Sequence, residues 1–120
     1  MADPLVPSVG TAVLHLFCTV GEGTDRAAIE AAVKGAQADD IQVVPVAVLG
    51  HKADIAFMAL GADWWQLKSL QTALSVAGLT IVDSYVSLTE LSEYAQGLPE
   101  QMAQARLHPQ LPPEGMNAWC

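Results

Sequence analysis

The chain has 120 residues, a length that suits one domain with a modest core. It is 52% hydrophobic and only 15% charged, which excludes an intrinsically disordered chain. Thirteen acidic against five basic side chains give a formal net charge of −8, which argues against nucleic acid and anionic membrane surfaces, because both require clustered Lys and Arg.

Residues 1–10 carry Asp3, Pro4 and Pro7 and no basic side chain. They lack the charged start and apolar run of a secretory signal and read as a flexible lead. No apolar stretch approaches the roughly 20 residues of a membrane helix. Cys18 and Cys120 form no metal or redox spacing and nothing supports a disulfide between them, and these features favour the cytoplasm.

Residues 11–20 are rich in β-formers and apolar on both faces, with Ala12, Leu14, Leu16 and Cys18 on one and Val13, His15, Phe17 and Thr19 on the other. This predicts a central strand. Gly21, Glu22 and Gly23 break it, Thr24 follows as an N-cap candidate, and residues 25–38 read as a helix with Ile29, Val33 and Ala36 in its stripe and Ala28 and Ala32 widening it. Residues 41–49 form a second strand. Pro45 cannot donate to a ladder and assigns it to a sheet edge or a bulge. After a turn at Gly50, His51 and Lys52, residues 53–60 are almost wholly apolar and predict a third, central strand. Asp63 is a second N-cap candidate, with Gln66 placed for a capping box. Leu67, Leu70, Leu74 and Ala77 line one helical face, and Gly78 suits the C-terminal stop. Residues 79–91 form a fourth strand.

The order β-α-β-β-α-β is the ferredoxin-like pattern of a four-stranded antiparallel sheet with two helices on one face, of the dimeric α+β-barrel type. That topology places the second strand at an edge, where Pro45 independently puts it. Residues 92–120 differ in character. They are polar, with a short helix expected near residues 99–105, and are stiffened by Pro109, Pro112 and Pro113 into a connector.

The residues alone assemble no enzyme site. His15 reads as a packed or edge strand residue and His108 as a surface residue of the connector. The cluster Gly50-His51-Lys52-Ala53-Asp54 has two readings, an acid–base or anion site and a hairpin turn with charges at strand ends; the second is preferred. Trp64 and Trp65 open the second helix, and adjacent helical positions put one on the sheet and the other on an interface. Tyr85 and Tyr94 are assigned to packing, although a redox role is conceivable beside heme. Asp39, Asp40, Glu90 and Glu93 fit no calcium loop. There is no Gly-rich phosphate loop and no Ser–His–Asp order. Cys18 reads as a buried small hydrophobe and Cys120 as a loose thiol. No residue is assigned a catalytic, cofactor-binding or metal-binding role.

Three stretches carry a resemblance. They are Gly50-His51-Lys52-Ala53-Asp54-Ile55, the run from Ser84 to Ser92 (SYVSLTELS), and Arg106-Leu107-His108-Pro109-Gln110-Leu111-Pro112. In this order and spacing, with Leu14-His15-Leu16-Phe17 in the first strand, the chain resembles the N-terminal half of the chlorite dismutase family, which includes the peroxide-dependent coproheme decarboxylases. The resemblance implies two ferredoxin-like halves packed as a pseudo-repeat and rings of subunits. The family's heme-contacting segments follow the equivalent of Met116 to Cys120, so none is carried over onto a residue of this chain. Heme or coproheme is then expected on a second half outside it, with a second-half polypeptide or identical subunits as partners. Under this resemblance the expected role is structural and assembly support for a heme enzyme of heme biosynthesis. The expected reaction is coproheme decarboxylation ahead of chlorite breakdown. The alternative is a stand-alone dimeric α+β-barrel binding module without heme. A third and weaker option is a cofactor-free monooxygenase with His51 or His15 as base.

Overall fold

The computed structural model describes residues 3–6 and 10–89. Six elements follow in order: β1 (Ala12–Thr19), α1 (Arg26–Ala38), β2 (Gln42–Ala47), β3 (Ile55–Gly61), α2 (Trp64–Val76) and β4 (Thr80–Leu88). The strands form one sheet in the order β2-β3-β1-β4. Every neighbouring pair is antiparallel. This is the ferredoxin-like α+β fold.

Residues that alternate on the strands separate the two sheet faces. Ala12, Leu14, Leu16 and Cys18 of β1, Phe57 and Ala59 of β3 and Val43 of β2 are buried in one cluster with Ala36 of α1 and Leu67, Leu70 and Leu74 of α2. Both helices therefore cover the same face. α1 packs on β2, and α2 packs on β3 and β1. The stripe Leu67, Leu70, Leu74 and Ala77 is fully buried. Of the two tryptophans, Trp64 is packed against the core and Trp65 is exposed. Pro45 lies in the edge strand β2, opposite Phe57 of β3. An edge tolerates it, because the ladder there loses only one donor.

The helix ends are built from specific side chains. Asp63 caps α2, its Oδ1 accepting from Trp65 N–H at 2.9 Å and from Leu5 N–H at 3.0 Å. Trp64 N–H in turn donates to the Leu5 carbonyl, so residue 5 of the lead is pinned to the start of α2. The N-cap of α1 is Asp25, not Thr24: Asp25 Oδ1 accepts from Ala27 and Ala28 N–H. Thr24 has a different role. Its hydroxyl accepts from Gly21 N–H at 2.9 Å and donates to the Gly78 carbonyl at 2.9 Å, tying the β1–α1 loop to the end of α2.

Both helices end in the same pattern of paired reverse bonds. In α1, Asp40 N–H reaches the Gln37 carbonyl and Ile41 N–H the Ala36 carbonyl, with Asp40 at φ 63. In α2, Gly78 N–H reaches Ser75 and Leu79 N–H reaches Leu74, with Gly78 at φ 96. A left-handed residue one place after the cap is what this motif requires.

The strands are shorter than the sequence suggested. β2 covers residues 42–47 of the expected 41–49, because Ile41 is drawn under the helix layer by its bond to Ala36. β3 begins at Ile55, since the exposed Asp54 is tied to the end of β1: its N–H donates to the Cys18 carbonyl and its Oδ2 accepts from Val20 N–H, both at 2.8 Å. β4 ends at Leu88. The expected connector, with His108, Tyr94, Arg106 and Cys120, lies outside the described residues, as do Glu90 and Glu93. No helix among the described residues is long and apolar enough to cross a membrane.

Candidate functional site

The face of the sheet away from the helices holds the distinctive surface. The register puts His15 between Met58 of β3 and Tyr85 of β4, and Phe17 between Ala56 and Asp83. Val44 and Val46 of β2 extend this row to the edge, opposite Met58 and Ala56. His15, Phe17, Val44, Val46, Ala56 and Met58 are half-buried, while Tyr85 is exposed. The face is thus mainly apolar, and no helix of the described residues lies on it.

Two adjoining hollows mark its hairpin end. One, of about 600 Å³, is lined by Phe17, Val48 to Ala53, Val82, Asp83 and Tyr85. The second, of about 280 Å³, runs along the strands past His15, Phe17, Val46, Val48, Ala56 and Met58. Phe17 and Val48 line both. Phe17 and Tyr85 meet edge to face, with ring centroids 6.2 Å apart and planes at 85°, the favoured geometry for an aromatic pair.

A bulge shapes the wall on β4. Phe17 pairs with Asp83 but Cys18 pairs with Ile81, so Val82 is an extra residue in the ladder. Val82 and Asp83 consequently both line the larger hollow. Bulges recur beside functional sites because they re-aim side chains in this way. Neither residue stood out in the sequence. The available signal was Asp83 itself, an acidic side chain poorly suited to the middle of a strand.

The structure divides the polar cluster predicted at residues 50–54. Asp54 is structural, its carboxylate taken by Val20 N–H. Gly50 makes the turn at φ 107, a conformation few other residues adopt without strain. His51 and Lys52 stay exposed on the rim of the larger hollow, with Asp83 on the wall. Asp83 Oδ1 accepts from Ser84 N–H at 2.8 Å. His15 lines the inner hollow, and its Nδ1 is buried with no hydrogen-bond partner among the described residues. The structure thus brings His15, His51 and Tyr85 to one face of the sheet.

Charge elsewhere is dispersed. Arg26 and Lys34 border an apolar groove of about 630 Å³ between α1 and the β2–β3 edge. Arg26 pairs with Glu30 at 3.2 Å, one helical turn away, with both side chains mostly in solvent. Such a pair adds little stability. Lys68 is exposed on α2. Cys18 is completely buried under the helices, and burial raises its thiol above the ordinary value. Among the described residues no three His, Cys, Asp or Glu side chains gather as a metal site.

No protein-family model matches the chain, and no curated relative does. Among solved structures, the chain is similar to a heme-binding protein from Thermus thermophilus that was identified functionally from its structure. The two share 24% identity with a TM-score of 0.66. At that identity the likeness shows the fold. The match covers 93% of this chain and 55% of the other, so the chain spans about half the length of the heme-binding protein.

Proposed function

We propose that this domain is the structural and assembly half of a heme protein of the chlorite dismutase type, and that its helix-free sheet face packs on a second ferredoxin-like unit that holds the heme. One observation carries the reading: nearly the whole chain superposes on about half of a protein that binds heme, and among the described residues the side of the sheet away from the helices keeps a half-buried apolar row, Phe17, Val44, Val46 and Met58, that no helix covers. The three stretches of sequence likeness favour the same family. On this reading the enzyme is a heme-dependent oxidoreductase, with coproheme decarboxylation in heme biosynthesis as its reaction, and the domain supplies no ligand to the iron.

The electrostatics agree. A heme site needs an axial ligand, an apolar slot and cations for the propionates. Arg26, Lys34 and Lys68 lie on the helix layer, opposite the open face, and among the described residues that face has the one cation Lys52, short of the set that several propionates require. A polyanionic porphyrin approaching a chain of net charge −8 is repelled. The test is titration of ferric heme and ferric coproheme into the chain. No stoichiometric ligated Soret band is expected from the chain by itself, and one is expected once a second ferredoxin-like unit of the family is added. A ligated band from the chain alone that disappears in His15→Ala or His51→Ala would overturn the assignment.

A second reading rests on the same open face. Two copies of the chain pairing sheet to sheet would make a dimeric α+β-barrel module without heme, since the fold by itself fixes no function. A chain that pairs with itself and never acquires heme with a second unit would favour it.

A further inference from the structure

We propose that the joined hollows at the hairpin end of the open face form a binding site for a small flat aromatic molecule bearing one anionic group, in competition with any second unit that covers this face.

The body of the ligand is set by the walls. Phe17 and Tyr85 offer an edge-to-face pair, Val48, Val82 and Ala56 supply further apolar surface, and about 600 Å³ with a further 280 Å³ accommodates one or two fused rings. Sites for small molecules are typically concave, mainly apolar and oriented by a few polar groups. The bulge at Val82 widens this wall, and it serves no purpose for pairing, because an unbroken register would join β1 and β4 more completely.

The polar groups set the orientation. Lys52 stands on the rim beside His51, and no ion pair of Lys52 is formed among the described residues. Asp83, the one acid among the described lining residues, spends an oxygen on Ser84 N–H. The rim therefore presents a cation to a carboxylate entering from solvent, against a single opposing charge among the described residues. At the inner end, His15 Nδ1 is buried and unpartnered among the described residues. A buried polar nitrogen without a partner is costly and calls for one. A polar substituent reaching along the strand past Phe17 would meet it, about 7 Å from that ring on the two-residue repeat of a strand.

The experiment is calorimetric titration of the chain with 2-naphthoate, and with 2-naphthalenemethanol as its uncharged counterpart. Nuclear magnetic resonance then locates the bound molecule. Saturable binding of naphthoate is expected, tighter than the alcohol, with shifts at His15, Phe17 and Tyr85. Two exposed substitutions should act in opposite senses. Lys52→Gln should weaken naphthoate binding and Asp83→Asn should strengthen it, each by about two- to fivefold, the range for partly solvated charge pairs. Neither should change binding of the alcohol. The proposal is overturned if the two substitutions act alike or have no effect, if alcohol and acid bind equally, or if the shifts fall on the α1–β2 groove. It also fails if naphthoate does not saturate.

Discussion

Asp40 and Gly78 close the two helices with the same motif from different residues, and they carry opposite costs. Asp40 holds φ 63 with a side chain that tolerates it better than most but at a cost glycine does not carry, whereas Gly78 holds φ 96 where a Cβ would overlap the Gly23 carbonyl. Asp40→Gly should stabilise the fold by up to about 1 kcal/mol, relieving left-handed strain against the added freedom of glycine when unfolded. Gly78→Ala should destabilise it by more than about 1 kcal/mol, because strain and overlap add. Denaturant melts with an unchanged slope would report both. Gly78 was legible in the sequence from its place after the leucine stripe. Asp40 was not, since an acid in a left-handed position has no distinctive neighbour pattern. Thr24 and Asp25 show a related limit: both are good caps, and tertiary contacts decide, Thr24 being held by the Gly78 carbonyl while Asp25 takes the Ala27 and Ala28 N–H groups.

Cys18 adds a pH dependence of definite sign. Burial raises its thiol above the ordinary value of 9.0, so the folded state retains the proton after the unfolded state has lost it. The contribution to stability is whole below that value and declines as pH rises through the folded value. Melts at pH 8 and 10 should show a loss that Cys18→Ala reduces. Alkylation mapped by mass spectrometry should find Cys18 unreactive in the native chain.

At the scale of elements, α2 holds the molecule together. Its leucines fill the centre of the core, and its start is fixed by Asp63, which also receives Leu5. Leu74→Ala should cost about 2–5 kcal/mol, since Leu74 has no exposed surface and a cavity would remain. Asp63→Ala should cost about 0.5–2 kcal/mol as a lost cap, and should also free residue 5, seen as faster hydrogen exchange there. Element order, the edge position of β2 and the stripe of α2 were all readable, because periodicity and Pro45 record burial and pairing directly. The bulge in β4 was not. It depends on register against β1, and a run such as Thr80 to Leu88 is compatible with several registers when both its faces are largely exposed.

At the scale of the whole molecule, the described residues place both helices on one side of the sheet. The helix face buries a continuous core, and the other presents Phe17, Met58, Val44 and Val46 around the half-buried His15. The site at the hairpin end could not be read from the sequence, because His15, His51 and Tyr85 come from three separate strands and turns and meet only through strand order. Apolar surface of this kind, contiguous and rimmed by polar groups, marks an interaction face. Association through it is the element shared by the heme-protein half and the stand-alone barrel.

The most direct test is the mass of the chain by light scattering across a range of concentrations, compared with Val46→Glu on the open face and Val76→Glu on the exposed side of α2. The chain and Val76→Glu should be dimers or larger, and Val46→Glu, with unchanged circular dichroism, should fall to the monomer mass of 12.7 kDa. A wild-type chain that remains at 12.7 kDa at every concentration, or that Val46→Glu leaves associated, would contradict a sheet face built to be covered.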